Sequence, residues 1–336
     1  MFDSSISSVV VTSRVRTARN VSGQSFVQNS DEKFSDELVS RVADCLMSLG
    51  KYKVYRMNNI SETDSLVMAN KHIISKELLK NRLTGASVVR DDEAVSVMVN
   101  EEDHIREQCI LKGLNLEKAY SIISEIDDEL STKIKFAYDE RFGYLTSCVT
   151  NVGTGMRASV MLFLPALTIK SEIDSIISAV KQRGLTVRGV LGEGSFPLGY
   201  MYQVSNATTI GKSEREIISS VTSAVNKIVE MELTARKKLL TEDLGNVTDI
   251  VWRAWGILTN CYTIDWVEFM KLAGEVKLGI SLGLIVLSEN GVMDRVIDYC
   301  SDSAIKKFAK GNLTDEQIGI KRAEYLFKTL KKLRIK

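Results

Sequence analysis

The stretch ASVVRDDEAVSVMVN, residues 86–100, decides the fold class of this chain of 336 residues. Two β-rich runs, residues 86–90 and 94–100, flank the acidic tripeptide at residues 91–93. Runs of Val, Ser and Met with so short a polar connection are typical of a tight hairpin. A hairpin pairs neighbouring strands in opposite directions, so the sequence predicts an antiparallel sheet.

Further strands and helices are expected on both sides of this hairpin. Strand patterning covers residues 9–11, 52–57, 144–149, 186–191 and 199–204. Helical spacing of apolar residues covers residues 30–49, 116–134 and 171–183, and the capping signature Ser-x-x-Glu at Ser213 and Glu216 opens another helix. Helices that pack on one antiparallel sheet make an α+β domain.

After about residue 241 the strand signals disappear. Residues 247–258, 264–278 and 314–333 have helical spacing, and Thr314 with Gln317 repeats the capping signature. We therefore predict an α+β domain over residues 1–240, in which helices flank an antiparallel sheet, followed by an all-α domain over residues 241–336.

Composition excludes several classes of protein. Lys plus Arg number 44 against 43 Asp plus Glu, so a net charge of +1 argues against a chain that coats nucleic acid or an anionic membrane. Five scattered cysteines fit neither a disulfide framework nor a metal ribbon, which favours a reducing cytoplasm, and two histidines preclude a histidine-rich zinc site. We assign no metal ligands. No signal peptide or membrane span is expected.

Common enzyme signatures are absent, among them the Walker phosphate loop, the kinase His-Arg-Asp and the Gly-x-Ser-x-Gly elbow. The loop GTGMRA, residues 153–158, fits the dinucleotide fingerprint Gly-x-Gly-x-x-Ala. That fingerprint needs a parallel βαβ unit, whereas the neighbouring strands are expected to be antiparallel. The Rossmann interpretation is therefore disfavoured.

A set of arginines lies at the ends of predicted elements: Arg14, Arg16, Arg106, Arg157 and Arg188. Arginine forks bind phosphate oxygens bidentately and stay charged at any working pH. Residues i and i+2 of a strand face the same side, so Arg14 and Arg16 can hold one polyphosphate together. The alternative is that each arginine is a solvated residue or an ion-pair partner.

Other residues could carry chemistry as well. Glu101, Glu102 and Asp103 lie in the tract NEEDHIR, residues 100–106, and suit a cationic substrate or a metal. Cys148 precedes the glycine-rich loop, and Glu193 lies between two glycines. The alternatives are a solvated acidic turn, an inert cysteine and an ordinary turn residue.

The tract NEEDHIR and the loop CVTNVGTGMRAS, residues 148–159, together resemble the motifs of the guanidino (phosphagen) kinase superfamily. Along nearly its full length the chain is most similar to the bacterial protein arginine kinases of the McsB type. The members that act on small guanidines carry a helical domain before the first arginine motif, whereas here Arg14 lies near the start and a helical domain follows. This pattern is expected of the branch that acts on proteins.

The resemblance implies which residues bind ATP and the substrate. The five arginines would hold the phosphates, with His72 beside the adenine. The implied nucleotide-lining residues are Thr12, Ser13, Arg14, Val15, Arg16, His72, Arg106, Arg157, Ala158, Ser159, Val160, Met161, Arg188, Gly189, Val190, Leu191, Gly192 and Glu193. The substrate guanidinium would be bound by Glu102 as the base, Glu193 as a second clamp and Cys148.

The implied function is transfer of the γ-phosphate of ATP, with Mg²⁺, to arginine side chains of proteins, marking them for Clp-type proteolysis in a stress response. Implied partners are proteins with exposed arginines, an activator protein and Clp protease components, and a homodimer is an expected assembly. The alternatives are a kinase for free arginine or a related guanidine, and an inactive scaffold that binds arginine or phosphoarginine.

The sequence departs from the family pattern at three places. Val149 stands where proline is usual, and the region between Arg16 and Tyr52 is shortened. Residues 318–323 keep only the second half of the Arg-Asp-x-x-Arg-Ala motif with which the family senses phosphoarginine. Arg322 is left there as a candidate anion-binding residue.

Overall fold

The computed structural model describes residues 2–189, 197–289, 291–309 and 313–331. Four predicted site residues, Val190, Leu191, Gly192 and Glu193, lie outside the described residues.

Ten strands form within these ranges: β1 (Val10–Arg19), β2 (Tyr52–Arg56), β3 (Ala86–Arg90), β4 (Val95–Val99), β5 (Ile105–Lys112), β6 (Tyr138–Asp139), β7 (Gly143–Tyr144), β8 (Met156–Phe163), β9 (Leu185–Gly189) and β10 (Met201–Asn206). Eleven α-helices accompany them: α1 (Glu32–Leu49), α2 (Glu62–Asn70), α3 (Leu116–Lys133), α4 (Pro165–Ile169), α5 (Ile173–Gln182), α6 (Glu214–Glu242), α7 (Leu244–Asn260), α8 (Trp266–Leu282), α9 (Val292–Tyr299), α10 (Asp302–Ala309) and α11 (Asp315–Leu330). In the described part of the chain, no helix has both the length and the apolar character needed to cross a bilayer.

Eight of the strands form one sheet in the order β2-β3-β4-β5-β1-β8-β10-β9. Every neighbouring pair is antiparallel, and β3 and β4 form the hairpin predicted for residues 86–100. Helices α1, α3 and α6 cover one face and bury its valines and isoleucines in one apolar core. The predicted α+β fold with an antiparallel sheet is confirmed.

The predicted helix starts are confirmed by their hydrogen bonds. Helix α6 opens with a reciprocal capping box between Ser213 and Glu216, and α11 opens with the same arrangement between Thr314 and Gln317. Each box satisfies two backbone N–H groups that the first helical turn would leave without partners. These helices begin where the local sequence places them.

Three strand predictions differ from the structure, and one of them is that the strand predicted at residues 199–204 begins only at Met201, after a short 3-10 helix at Leu198–Tyr200. The predicted strand at residues 9–11 is too short, because β1 runs on through its polar residues to Arg19. The strand predicted at residues 144–149 is wrong beyond Tyr144: Asp103 accepts a hydrogen bond from the Ser147 amide, and Val149 is 84% exposed. Among the described residues no strand pairs with residues 145–149, and this segment forms a loop.

Helices α7 to α11 follow the sheet and contact the preceding part of the chain at several places, among them the following two. Near α2, Asn70 donates to Ser303 at 2.7 Å. Near β10, Gly199 and Tyr200 pack against α8: a Cβ on Gly199 would lie 2.8 Å from a backbone oxygen of α8, and a Cβ on Gly274 would lie 2.8 Å from the Tyr200 ring. Tyr200 also donates to Glu275 at 3.2 Å. Helix α6 continues to Glu242, so the boundary predicted after residue 240 falls in its last turn.

Candidate active site

The alternation of β1 determines which way its arginines point. Val15 is fully buried in the core beneath the helices, so Arg14 and Arg16 face the opposite side of the sheet. Arg157 of β8 is directly paired with Arg16 and therefore shares its side. We call this side of the sheet the arginine face.

The other two predicted arginines lie on the same face. Ile105 is buried in the core, so its neighbour Arg106 points to the arginine face. Arg188 is paired with Gln203, whose Oε1 accepts a hydrogen bond from Arg14 Nη2 at 3.2 Å. The prediction that these arginines close the ends of elements is wrong, because all five lie within strands.

A cavity of about 150 Å³ opens beside three of these arginines. Its lining residues are Arg16, Thr17, Ala18, Glu102, Arg106, Cys148, Thr150, Asn151, Gly155 and Arg157. The structure thus brings Glu102 and Cys148 together with Arg16, Arg106 and Arg157, although these residues come from four separate parts of the sequence. Arg14 and Arg188 share the face without lining the cavity.

The three consecutive carboxylates have different environments. Both oxygens of buried Glu101 accept hydrogen bonds from Arg106 Nη1 at 2.7 Å. Asp103 is also buried and accepts from Asn20 Nδ2 and the Ser147 amide, both at 2.6 Å. Among the described residues, the Glu102 carboxylate has no such partner. The tract is therefore not a solvated acidic turn, and Glu102 is the carboxylate that it presents to the cavity.

The positive charges on the arginine face are crowded. Burial, together with the charges of Arg106 and Arg157, lowers the pKa of Arg14 to about 10. Burial and the same kind of repulsion, from Arg14 foremost, lower the pKa of Arg16 well below its usual range. The buried Nε of Arg16 has no hydrogen-bond partner among the described residues. A polyphosphate would supply both the negative charge and the acceptor oxygens, so these residues fit ATP.

The surroundings of Glu102 shift the pKa of its carboxyl group. Its partial burial, and next the charge of Asp103, raise its pKa above the usual glutamate value against the opposing effect of Arg106. A carboxylate whose pKa is raised toward the working pH is a better general base than a fully solvated one. Perturbed groups of this kind cluster at functional sites.

His72 is held near the same face by its backbone. Gln108 lies two residues beyond Arg106 in β5 and therefore points to the arginine face, where its Nε2 donates to the His72 carbonyl at 2.7 Å. Loss of hydration, and next the charge of Arg14, lower the pKa of the His72 imidazole. The structure thus brings the predicted adenine neighbour close to the predicted phosphate-binding arginines.

Family comparisons agree with this geometry. A family model described as ATP:guanido phosphotransferase, C-terminal catalytic domain, matches residues 33–235, and one described as Protein-arginine kinase McsB C-terminal domain matches residues 245–336. A relative from Halothermothrix orenii named Protein-arginine kinase is 40% identical over 95% of this chain and 92% of its own length. A second relative of that name, from Clostridium tetani, is 38% identical over 97% of this chain and 96% of its own length. The chain belongs to the protein-arginine kinase family.

Solved structures show that the protein-arginine kinase family shares its fold with other guanidino kinases. A lombricine kinase matches with a TM-score of 0.60 and 23% identity over 70% of this chain and 68% of its own. A duplicated taurocyamine kinase from Schistosoma mansoni, with bound transition-state analogue components, matches with a TM-score of 0.62 and 22% identity over 91% of this chain and 47% of its own. The dinucleotide interpretation of residues 153–158 is wrong, because that loop leads into strand β8 and not into a helix.

The structure also sorts the nucleotide-lining residues predicted for this member of the protein-arginine kinase family. Thr12, Ser159 and Met161 alternate with the arginines and share their face. By the same alternation, the side chains of Ser13, Val15, Ala158 and Val160 point to the helix-covered side, so they can meet a ligand on the arginine face only through their backbone. Gly189 ends β9 next to Arg188.

Sequence reasoning missed several residues that build the site. Thr150 and Asn151 line the cavity, and Asn20 fixes the acidic turn through Asp103. Arg19 ends the same strand as Arg14 and Arg16, but it is 3% exposed and pairs with Asp127. Val15 and Arg19 are four positions apart in the strand, so both point to the helix-covered side of the sheet, whereas Arg14 and Arg16 point to the arginine face.

Arg322, the residue left as an anion-binding candidate, is occupied by other groups. It is 1% exposed, its Nε donates to the Cys300 carbonyl and its Nη1 to the Ile264 carbonyl, both at 2.7 Å, and its Nη2 pairs with Asp302. All three nitrogens therefore serve internal contacts. The expectation that Arg322 binds an anion is wrong in this structure.

Proposed function

We propose that this chain is an ATP-dependent protein-arginine kinase, which transfers the γ-phosphate of ATP to the guanidinium of arginine side chains in proteins. The observation that carries the proposal is the cavity in which Arg16, Arg106 and Arg157 face Glu102 and Cys148. The three arginines can bind a phosphoryl group, and the Glu102 carboxylate beside them can bind a cationic guanidinium. Relatives named Protein-arginine kinase, matched over nearly their whole length, support the protein substrate.

In this proposal the arginine face binds the triphosphate. Arg14 and Arg16 point the same way from one strand, Arg157 stands opposite Arg16, and Arg106 and Arg188 flank them. Arg106 is held in place by its bond to Glu101, so its guanidinium is oriented before ATP arrives. Losing one such preorganised donor typically costs ~3 to 4 kcal/mol of transition-state stabilisation. His72 lies beside the adenine.

Mg²⁺ is proposed to enter with the nucleotide. In the described residues, no group of three or more His, Cys, Asp or Glu side chains could hold a metal ion. Mg²⁺ keeps several waters and is commonly bound through substrate phosphates, so the chain need not supply a cage of its own. When bound, the ion neutralises charge on the phosphates.

Glu102 is proposed to be the general base. A guanidinium has a pKa above ~12 and is a poor nucleophile until it loses a proton. As a guanidinium nitrogen forms its bond to the γ-phosphorus, the bond to the β,γ-bridging oxygen breaks, and Glu102 takes the proton from that nitrogen. In-line positioning of the two reactants can supply roughly 7 to 11 kcal/mol of the barrier reduction.

Cys148 and Glu193 complete the proposed substrate site. Cys148 lines the cavity, and its Sγ lies 3.1 Å from Thr150 Oγ1. Glu193 lies outside the described residues, so its role as the second clamp rests on the family resemblance alone.

The wider role is also proposed from the resemblance. Phosphorylation of exposed arginines would mark proteins for Clp-type proteolysis during stress, in the cytoplasm. An activator protein and Clp protease components are the proposed partners, and a homodimer is the proposed assembly.

The test compares two acceptors. The full chain is incubated with ATP, Mg²⁺ and either an unfolded protein or free arginine, and mass spectrometry maps acid-labile phosphate. The expected result is phosphoarginine in the unfolded protein and much less on the free amino acid. Transfer to free arginine alone would contradict the proposal that proteins are the substrate. No transfer to either acceptor would contradict kinase activity and support the alternative of an inactive scaffold that binds arginine or phosphoarginine.

A further inference from the structure

Arg19 is the third arginine of β1, and it does not point to the arginine face. It shares the parity of Val15, so its side chain passes to the helix-covered side of the sheet. There its Nε donates to Asp127 Oδ1 of α3 at 2.9 Å and its Nη2 to Oδ2 at 2.8 Å. This bidentate pair is largely buried and fixes the guanidinium plane.

The remaining nitrogen of Arg19 contacts the glycine-rich turn. Nη1 donates to the Thr154 carbonyl at 3.0 Å and to the Ala18 carbonyl at 2.9 Å. The same guanidinium also lies over an aromatic ring, since its central carbon is 3.5 Å from the ring centre of Tyr144. Arg19 thus joins Thr154 and Tyr144, which are ten positions apart in sequence.

Those two residues mark the base of one loop. Tyr144 and Gly153 pair through two backbone hydrogen bonds, of 2.8 and 3.3 Å, and close residues 145–152 into a loop that we call the cysteine loop. The cysteine loop carries Cys148, Thr150 and Asn151 into the cavity. Arg19 contacts one side of its base through Tyr144 and the other through Thr154.

The backbone at Gly155 packs tightly against the Arg19 side chain. Gly155 has a φ of +64°, and a Cβ there would lie 2.6 Å from Arg19 Nη1 and 2.7 Å from the Ala18 carbonyl. Strand β8 begins one residue later, and Arg157 is its second residue. The position of Arg19 therefore determines where the backbone before Arg157 can lie.

We propose that Arg19 is a positioning residue for phosphoryl transfer: it fixes the base of the cysteine loop and the start of β8, and so sets Cys148 and Arg157 opposite Glu102 and Arg16. It touches neither the nucleotide nor the acceptor. This inference rests on the proposed function.

The test replaces Arg19 by lysine and uses a matched control. Arg19→Lys keeps the charge but loses the fork that reaches Asp127 and Thr154 together. Arg236→Lys makes the same change at a fully buried arginine that is paired with Glu232 and bonded to the backbone of Phe163, away from the cavity. Assays are run below the melting temperature of both variants.

Arg19→Lys is expected to lower kcat by about 100-fold, the effect of a misplacement on the order of 1 Å, with KM for ATP changed by less than about threefold. Arg236→Lys is expected to lose thermal stability and keep kcat. A purely structural role for Arg19 would make the two variants behave alike, and that result would overturn the inference.

Two further measurements keep the test decisive. If Arg19→Lys does not fold, Tyr144→Leu takes its place, because this change removes the ring contact and leaves the ion pair. Tyr144→Leu is expected to show the same loss of kcat, and a wild-type kcat would contradict the inference.

The rate at which iodoacetamide alkylates Cys148, measured by mass spectrometry relative to Cys261, is expected to increase in Arg19→Lys. This readout needs no kinase activity, so it separates failure of the inference from failure of the proposed function.

Discussion

Arg16 and Arg157 stand directly opposite each other on β1 and β8, so two like charges form one cross-strand pair. Such pairs normally destabilise a sheet. Here Arg14 and Arg106 add further positive charge, and the lowered pKa values of Arg14 and Arg16 reflect the burial and repulsion that result. The sheet therefore carries an unfavourable charge arrangement that an anionic ligand would relieve.

Replacing Arg16 tests whether repulsion among these arginines destabilises the ligand-free protein. Arg16→Gln is expected to raise the free energy of unfolding of the ligand-free protein by roughly 0.2 to 1 kcal/mol, because it removes one of the opposed charges. ATP at 100 times its Kd should stabilise the wild type by ~2.7 kcal/mol and the variant far less at the same concentration. Urea unfolding with and without ATP measures both effects. Arg253→Gln, at an exposed arginine of α7, is the control. Lower ligand-free stability in Arg16→Gln would contradict the repulsion.

Glu102→Gln should separate chemistry from binding. The amide fills the same space but cannot accept the proton, so kcat is expected to fall by about 10² to 10⁴-fold, the usual contribution of a general base. ATP affinity should stay within about twofold, because the arginines bind the phosphates. Phosphate transfer and ATP binding are measured separately. Glu117→Gln, at an exposed glutamate of α3, should leave both unchanged. If Glu102→Gln kept the wild-type kcat, the proposal that Glu102 is the general base would be wrong.

His104 should make stability depend on pH. It is buried, its Nδ1 accepts from the Val21 amide and its Nε2 contacts Ser30 Oγ, both at 3.1 Å, so the fold needs the neutral imidazole. Burial lowers its pKa, against the opposing charge of Asp103. A lowered folded pKa means that the unfolded chain binds the proton more readily. The stabilisation is complete above the unfolded value of about 6.5 and is lost as pH falls toward the folded pKa.

Urea unfolding at pH 7.5 and 5.5 measures this effect. The chain has only two histidines, so two variants account for both of them. The stability advantage of the wild type over His104→Asn should shrink on acidification, and His72→Gln measures separately the part of the pH response that comes from the lowered pKa of His72. An advantage that is the same at both pH values would show that His104 does not titrate in this range.

Arg322 should behave as a structural residue of the helical region. Arg322→Met removes the donors to the Cys300 and Ile264 carbonyls and is expected to lower the free energy of unfolding by roughly 3 kcal/mol. Any rise in melting temperature that free phosphoarginine causes in the wild type should be the same size in Arg322→Met. Arg253→Met serves as the exposed control. A thermal shift by phosphoarginine that disappears in Arg322→Met would contradict this assignment.

Local rules predicted the parts of the fold that local interactions form. The β3–β4 hairpin follows from two apolar runs around an acidic turn, and both capping boxes follow from residues three positions apart. The same rules mispredicted residues 144–149, since nothing local says that Ser147 donates to a carboxylate 44 positions earlier in the chain. Residues with high strand propensity form a strand only where a neighbouring strand is available for pairing and packing.

The site was predictable in composition but not in arrangement. The motifs supplied the arginines and the acidic tract, yet which carboxylate stays available depends on partners far along the chain: Asn20 and Ser147 engage Asp103, and Arg106 engages Glu101. Arg19 was missed for a related reason. Its residue type matched Arg14 and Arg16, while its direction depended on where Val15 is buried.

The contact between Gly199 and Gly274 has a consequence for how the chain can change over evolutionary time. Each glycine lies so close to the opposite surface that a single methyl group at either position would collide with it. At Gly274 a substitution would need a compensating change at Tyr200, whereas at Gly199 the positive φ of +60° and the contact with the Met270 carbonyl oxygen disfavour any side chain. The sheet and the helical region are therefore expected to diverge as a matched pair, and a chimaera that joins this sheet to a relative's helices would have to carry its own version of that junction.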